Sequence, residues 1–252
     1  MQQENESKSI VEGEISELGK QEDVKIFYYI MHGLAIAPVL FLLIWHNPNQ
    51  IIWWLFCVLY PIFPFIIYRN YKSYIKIAPQ KGPYWSVGLV LILPSFAMAL
   101  TVMDYQYVNS NALYLYSGIF AILMLLLFLG YIIYNYNKGR ILIFFDIAIL
   151  LVAGGLYGYG LSSYVNRIFD NSSEQIYRVR VLNKFHQHVS SGKGNLTLNY
   201  LVITPWGPVS QISNVSVPND TYEILNEGNI AIIKLREGAL NIPWYTVSPI
   251  GE

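Results

Sequence analysis

From residue 26 to residue 161 the chain runs in long apolar blocks separated by short polar ones, and beyond that the blocks shorten and begin to alternate. A helix crossing the hydrocarbon of a bilayer needs about 20 apolar residues. Five stretches meet or approach that length: Ile26–Trp45, Ile51–Tyr68, Tyr84–Met103, Ala112–Tyr134 and Ile141–Leu161. They predict five membrane spans. The stretch at 51–68 is short and carries Pro61 and Pro64. It fits a kinked span or a re-entrant segment, and the kinked span is preferred because neighbouring helices can satisfy the backbone groups a proline frees. Pro38 and Pro94 predict kinks in the first and third spans. Trp45, Trp53, Trp54, Tyr68, Tyr84, Trp85 and Tyr134 mark span ends, where such rings sit well at headgroup level.

The C-terminal pattern is different. EQIYRVRVLNKF at 174–185 alternates Tyr177, Val179 and Val181 with Arg178 and Arg180, a strand period. SSGKGN at 190–195 signals a turn. LTLNYLVIT (196–204), SQISNVSV (210–217), IAIIKLR (230–236) and IPWYTV (242–247) read as further strands, with PWGP, a turn and short helical or irregular piece at 218–229, and EGALN between them. Short strands at this spacing predict a small closed sheet of SH3 or OB type, since closure removes exposed edges. The predicted class is therefore an α+β membrane protein. An acidic tail (1–25) leads into a five-span helical bundle (26–161), followed by an SH3/OB-like β-barrel domain (162–252).

Composition supports the membrane assignment. Of 252 residues 54% are hydrophobic and only 13% charged, against about 25% charged in soluble domains. The net charge of zero offers no overall attraction to nucleic acid. Cys57 is the single cysteine, so an intrachain disulfide and a thiolate zinc cluster are excluded. The abundance of Ile, Asn, Tyr and Lys points to an AT-rich bacterial genome. Basic loops stay on the cytoplasmic side. Arg69, Lys72, Lys76 and Lys81 lie in loop 69–83, and Lys138 and Arg140 in loop 135–140, whereas 46–50 and 104–111 have no Lys or Arg. This predicts a cytoplasmic N-terminus and a C-terminal domain outside the cytoplasmic membrane. The first span follows an acidic tail and is too long for a cleavable signal peptide. Within that tail, Ser9 and Glu12 have capping-box spacing, and a disordered tail is the other reading.

Asp146 stands out. At 1.5 Å per residue it lies roughly 7–8 Å into the hydrocarbon from Ile141, where an ionised carboxylate belongs on the bundle side of its helix. Stepping by three and four gives Leu150, Ala153 and Tyr157, flanked by Gly154 and Gly158. Small residues there predict a close helix–helix contact. His32, on the first span, has a similar depth and is the expected partner of Asp146, with Tyr29, Tyr131 and Tyr134 as alternative donors. The pair is either a proton or ion relay or a polar clip between two helices.

Outside the membrane, His186 and His188 are two residues apart at the end of the first predicted strand, so their side chains share a face. They are a weak metal candidate, because a zinc site wants three or four protein ligands; exposed polar residues at a loop edge are the other reading. Trp206 and Trp244 mark either an interface or a core. GKG at 192–194 lacks the strand and helix context of a phosphate loop. The N-x-[ST] triplets at Asn171, Asn195, Asn214 and Asn219 read as chance in a bacterial chain. The sequence holds no G-x-S-x-G, H-E-x-x-H or Walker phosphate-loop motif, and no cofactor is expected.

The phrases YLVITPWGP, VSVPNDTYEILNEGN and LREGALNIPWYTV resemble the C-terminal domain of a group of uncharacterised bacterial inner-membrane proteins. In that group a few spans precede a small β-domain ending in a similar G-A-L-G-I-P-W-Y phrase, where this chain has Asn241 in place of a glycine. The resemblance covers about a third of the chain and implies architecture and a bacterial envelope setting, not an activity. The expectation is a non-enzymatic inner-membrane protein that presents its β-domain to a partner in the envelope, as an accessory subunit or an immunity-type protein. Membrane lipids and a protein are its partners, and a homo-oligomer is allowed. The alternative is a small transporter or channel using the His32/Asp146 region; a membrane-embedded enzyme is a weaker third reading.

Overall fold

The computed structural model describes residues 59–60, 62–71, 75–77, 85–100, 102, 105–136, 143–191 and 194–250, with Lys25, Ile26, Tyr29, Ile30, His32, Gly33, Ala35 and Ile36 before them. The acidic tail (Lys25 apart), Cys57 and most of the first two expected spans lie outside the described residues. The described part is α+β, with helices preceding a six-stranded antiparallel sheet that nearly closes into a barrel. It divides into two compact units. One holds the described residues up to Ala99 with Ser117–Gly158; the other holds Leu100–Tyr116 with the chain from Tyr159.

In the first unit, α1 spans Ile62–Tyr71. The chain then forms two short parallel strands, β1 (Ile75–Lys76) and β2 (Trp85–Ser86), and enters α2 (Gly88–Leu100). Pro94 sits inside α2, and the Ser95 hydroxyl donates to the Leu91 carbonyl at 2.8 Å. Two further helices follow, α3 (Asn111–Leu127) and α4 (Leu129–Tyr136). α5 (Ile143–Ile168) has 26 residues and is the one described helix long and apolar enough to cross a membrane. Tyr60, Ile77, Val90, Leu91, Met124, Phe128, Tyr131, Leu150 and Ala153 form the core of this unit.

The second unit is the barrel. Its strands are β3 (Gln106–Tyr107), β4 (Gln175–Ser191), β5 (Gly194–Ile203), β6 (Ser213–Val217), β7 (Ile230–Arg236) and β8 (Trp244–Pro249), with a six-residue helix α6 (Asn219–Ile224) after β6. The strand order is β3-β8-β7-β4-β5-β6. β4 is the hinge of the sheet: Gln175–Arg180 pair with β7, and from Val181 onward it pairs with β5, with an irregular register between Val181 and Asn183. A bulge of that kind lets one long strand bend from one sheet into the next. β7 alternates as its sequence predicts, with Ala231, Ile233 and Leu235 buried. They pack with Val179, Val181, Leu201, Ile203, Trp206, Val215, Tyr222 and Tyr245.

Two expectations are corrected here. The sheet has six strands rather than five, because Gln106 and Tyr107, in a segment read as a loop between spans, pair with Tyr245 and Trp244 of β8. Two residues are too few to show a period, so only the partner strand defines β3. The first strand of the domain continues six residues beyond Phe185, to Ser191, because its hairpin with β5 stays in register to Ser191 and Gly194.

Candidate functional site

The barrel stays open between its end strands, β3 and β6. A recess of about 330 Å³ lies there, lined by Gln106 of β3, His186 of β4, Thr197 and Asn199 of β5, Ser216 of β6 and Asn219 at the start of α6. Leu198, Val217 and Pro218 supply its apolar wall, and among the described residues no Asp, Glu, Lys or Arg lines it. A second recess, about 190 Å³, adjoins it along the seam and shares Gln106, Ser216, Val217 and Pro218.

The polar side chains of the larger recess are tied to one another. His186 and Asn199 are cross-strand partners. Asn199 is buried, and its Nδ2 donates to Asn219 Oδ1 at 3.2 Å. Its Oδ1 therefore faces His186 Nδ1, at 2.8 Å. An amide oxygen accepts only, so the Nδ1 side of the ring is the donor in this contact. The ring also packs on Tyr222, centroid to centroid 4.5 Å. His188 follows the same cross-strand logic, with Nδ1 3.2 Å from Thr197 Oγ1. Both histidines lie inside β4 rather than at its end. Their ring centroids are 6.3 Å apart, and each Nδ1 is engaged by a β5 side chain. Among the described residues no group of three or more His, Cys, Asp or Glu side chains gathers as a metal site.

Trp206 and Trp244 part company. Trp206 is a core residue, 5% exposed and packed between Tyr177 and Tyr245, the second of its two readings. Trp244 is half-buried, and its indole N–H donates to Asp170 Oδ2 at 2.8 Å. It belongs to a clasp that sequence reasoning missed. Asn166, in the last turns of α5, donates from Nδ2 to the Ile242 carbonyl and accepts from Leu240 N–H, both at 2.9 Å. The Ala239 N–H donates to the Asn166 carbonyl at 2.8 Å. The Arg167 guanidinium lies 3.2 Å from the centre of the Tyr105 ring. Asp170 also accepts from the Gly238 and Ser172 N–H groups. Partial burial pushes the Asp170 carboxyl up, but the hydrogen bonds from Ser172, Trp244 and Gly238 outweigh it and hold the pKa below its ordinary value. The end of α5 is thus fixed to the β7–β8 turn. The one available signal was a cluster of polar residues, Asn166, Arg167 and Asp170, at the end of an apolar stretch.

In the helical unit, Asp146 is 1% exposed. Its Oδ2 accepts from the Tyr131 hydroxyl at 2.9 Å, and that hydroxyl in turn accepts from the Ile77 N–H at 3.1 Å. Tyr131, one of the alternative donors, is thus bonded to Asp146. His32 is on a helical, partly buried stretch. Lys76, next to Ile77, is buried as well; its place in a basic loop had hidden it. Leu150, Ala153 and Tyr157 are buried on the same side of α5 as Asp146, while Phe144, Phe145 and Val152 are exposed. A Cβ on Gly154 would come within 2.7 Å of Ala121 Cα, and one on Gly158 within 2.6 Å of Phe120 Cβ, so α5 rests on α3 through these two glycines. Ser117 Oγ donates to the Gly155 carbonyl at 3.0 Å, and Phe120 meets Tyr157 edge to face.

No family model, curated protein or solved structure matches this chain.

Proposed function

We propose that this chain is a non-enzymatic, multi-pass protein of the bacterial cytoplasmic membrane that holds its barrel outside the cytoplasm to bind a partner in the envelope. Five spans, with the N-terminus inside, are the topology this reading takes from the basic loops. The observation that carries it is the end of α5. A 26-residue apolar helix finishes in a clasp of Asn166, Arg167 and Asp170 on a barrel whose seam holds an open recess. An apolar helix whose last turns, from Tyr159, belong to the barrel's own unit suits a presented binding surface. The exposed faces of the helices support the membrane setting: α3 turns Leu115, Ile122 and Leu126 outward, side chains that water disfavours and lipid does not. Across Phe128, α3 and α4 are joined by backbone hydrogen bonds from Phe128 to Met124 and from Ile132 to Phe128. The run 111–136 would measure roughly 39 Å as one helix. The resemblance of the C-terminal phrases to bacterial inner-membrane proteins fits the same setting.

Gentle-detergent purification from a native host, followed by native mass spectrometry, tests this. A stoichiometric protein partner supports an accessory or immunity-type role. A partner-free monomer or homo-oligomer overturns it in favour of transport. Buried Asp146, bonded to Tyr131 in a unit that also buries Lys76, favours that second reading. Pairing of His32 with Asp146 remains part of it, and loss of transport in Asp146→Asn with the fold intact is its test.

A further inference from the structure

We infer that the recess in the barrel seam is a binding site for a neutral saccharide unit. In the envelope, this names the chemistry of one component the barrel meets, and it rests on the extracytoplasmic placement proposed above. The argument is one of complementary groups. Among the described residues the lining contains no formal charge, so these residues offer an ionic ligand no counter-charge for the hydration it would give up. It does contain amides, hydroxyls and an imidazole: Gln106, Asn199, Asn219, Thr197, Ser216 and His186. A relay runs from Asn219 through Asn199 to His186 Nδ1. His186 Nε2 is the ring nitrogen outside that relay, and Gln106, which lines the same recess, brings both donor and acceptor capacity. Ligand hydroxyls, which donate and accept at once, match such a set. Leu198, Val217 and Pro218 give the C–H face of a sugar ring an apolar wall. The volume, about 330 Å³, falls at the lower end of the range for small-ligand sites.

An extended peptide adding a strand to β6 is the competing occupant of an open seam. Pro218 argues against it. It follows β6 directly and lines the recess, and it has no N–H to continue a ladder. On the other side β3 is only two residues long, too short a template for strand pairing.

The test is saturation-transfer difference NMR on the full chain in detergent micelles. The probes are glucose and N-acetylglucosamine, with glucuronate as the charged control and an uncharged tetrapeptide as the competitor. Saturation transfer to a neutral sugar is expected, with binding weakened about fivefold for each hydrogen bond removed in Gln106→Ala and in His186→Ala. Both positions are at least partly exposed, so neither change opens a core, and circular dichroism confirms the fold of each variant. Absence of transfer to either neutral sugar, transfer undiminished in both variants, or preference for glucuronate or the tetrapeptide overturns the assignment. The purified protein is read without reference to its topology or protein partners. Failure here therefore leaves the presentation role standing, and a partner-free native mass spectrum leaves this site standing.

Discussion

The Tyr131 hydroxyl stands between two buried groups: it donates to Asp146 at 2.9 Å and accepts from the Ile77 N–H at 3.1 Å. One phenol thus satisfies a side chain of α5 and the backbone beside β1. Tyr131→Phe removes both hydrogen bonds, each worth about 0.5–1.5 kcal/mol or more where the partner is charged. The variant is expected to melt well below the native protein in detergent, while Asp146→Asn, which can still accept from Tyr131, melts close to it. Equal melting of Tyr131→Phe and native protein would show that the bond contributes nothing to stability.

The glycines of α5 separate by their surroundings. Gly158→Val sets a branched side chain against Phe120 and Ser117, whereas a Cβ on Gly155 meets nothing within 4 Å. Overpacking of this kind costs about 1–3 kcal/mol. Replacing a helical glycine by alanine in open space instead gains up to about 1 kcal/mol. Thermal unfolding should move in opposite directions for Gly158→Val and Gly155→Ala.

Asp170 makes the barrel acid-sensitive. Its folded pKa lies below the ordinary 3.8, so its contribution is present above the unfolded pKa and is lost as pH falls through the folded one. Barrel stability, followed by tryptophan fluorescence, should decline below about pH 4. Asp170→Asn should be less stable at neutral pH and show a shallower decline in acid. An unchanged acid profile in that variant would remove Asp170 from the clasp.

The β7–β8 turn needs two left-handed residues, Gly238 at φ 77° and Asn241 at φ 56°. Gly238→Ala is doubly penalised, because its Cβ would also meet the Asn166 side chain. A loss of roughly 1–3 kcal/mol is expected. Asn241→Gly restores the residue found in the resembling phrase and should be tolerated, since asparagine and glycine both accept this conformation. Comparison of the two melting temperatures checks the pair.

Much of the fold was legible because its signals are local. The period of two in IAIIKLR put Ala231, Ile233 and Leu235 inside β7, and steps of three and four from Asp146 picked out Leu150, Ala153 and Tyr157 as the buried side of α5. The recess was not legible. Its residues come from β3, β4, β5, β6 and the start of α6, and nothing in the spacing of Gln106 and His186 says that they line one recess. The donor to Asp146 could be narrowed to a few tyrosines and His32 but not chosen, because depth along a helix does not give direction around the bundle.

By itself the sequence determined what one chain segment can report about its own neighbourhood: the apolar helix that became α5, its packing glycines, most of the strands and the turns between them. These follow from the 3.6 and 2.0 periods of regular backbone. Tertiary structure alone decided that DYQYVNSN would lend a sixth strand to the barrel, that Trp206 would be core while Trp244 joined the clasp, and that Tyr131 would hold Asp146. Each depends on a partner far away in the sequence, and the free energy of such a contact exists only once the chain has closed the loop between them.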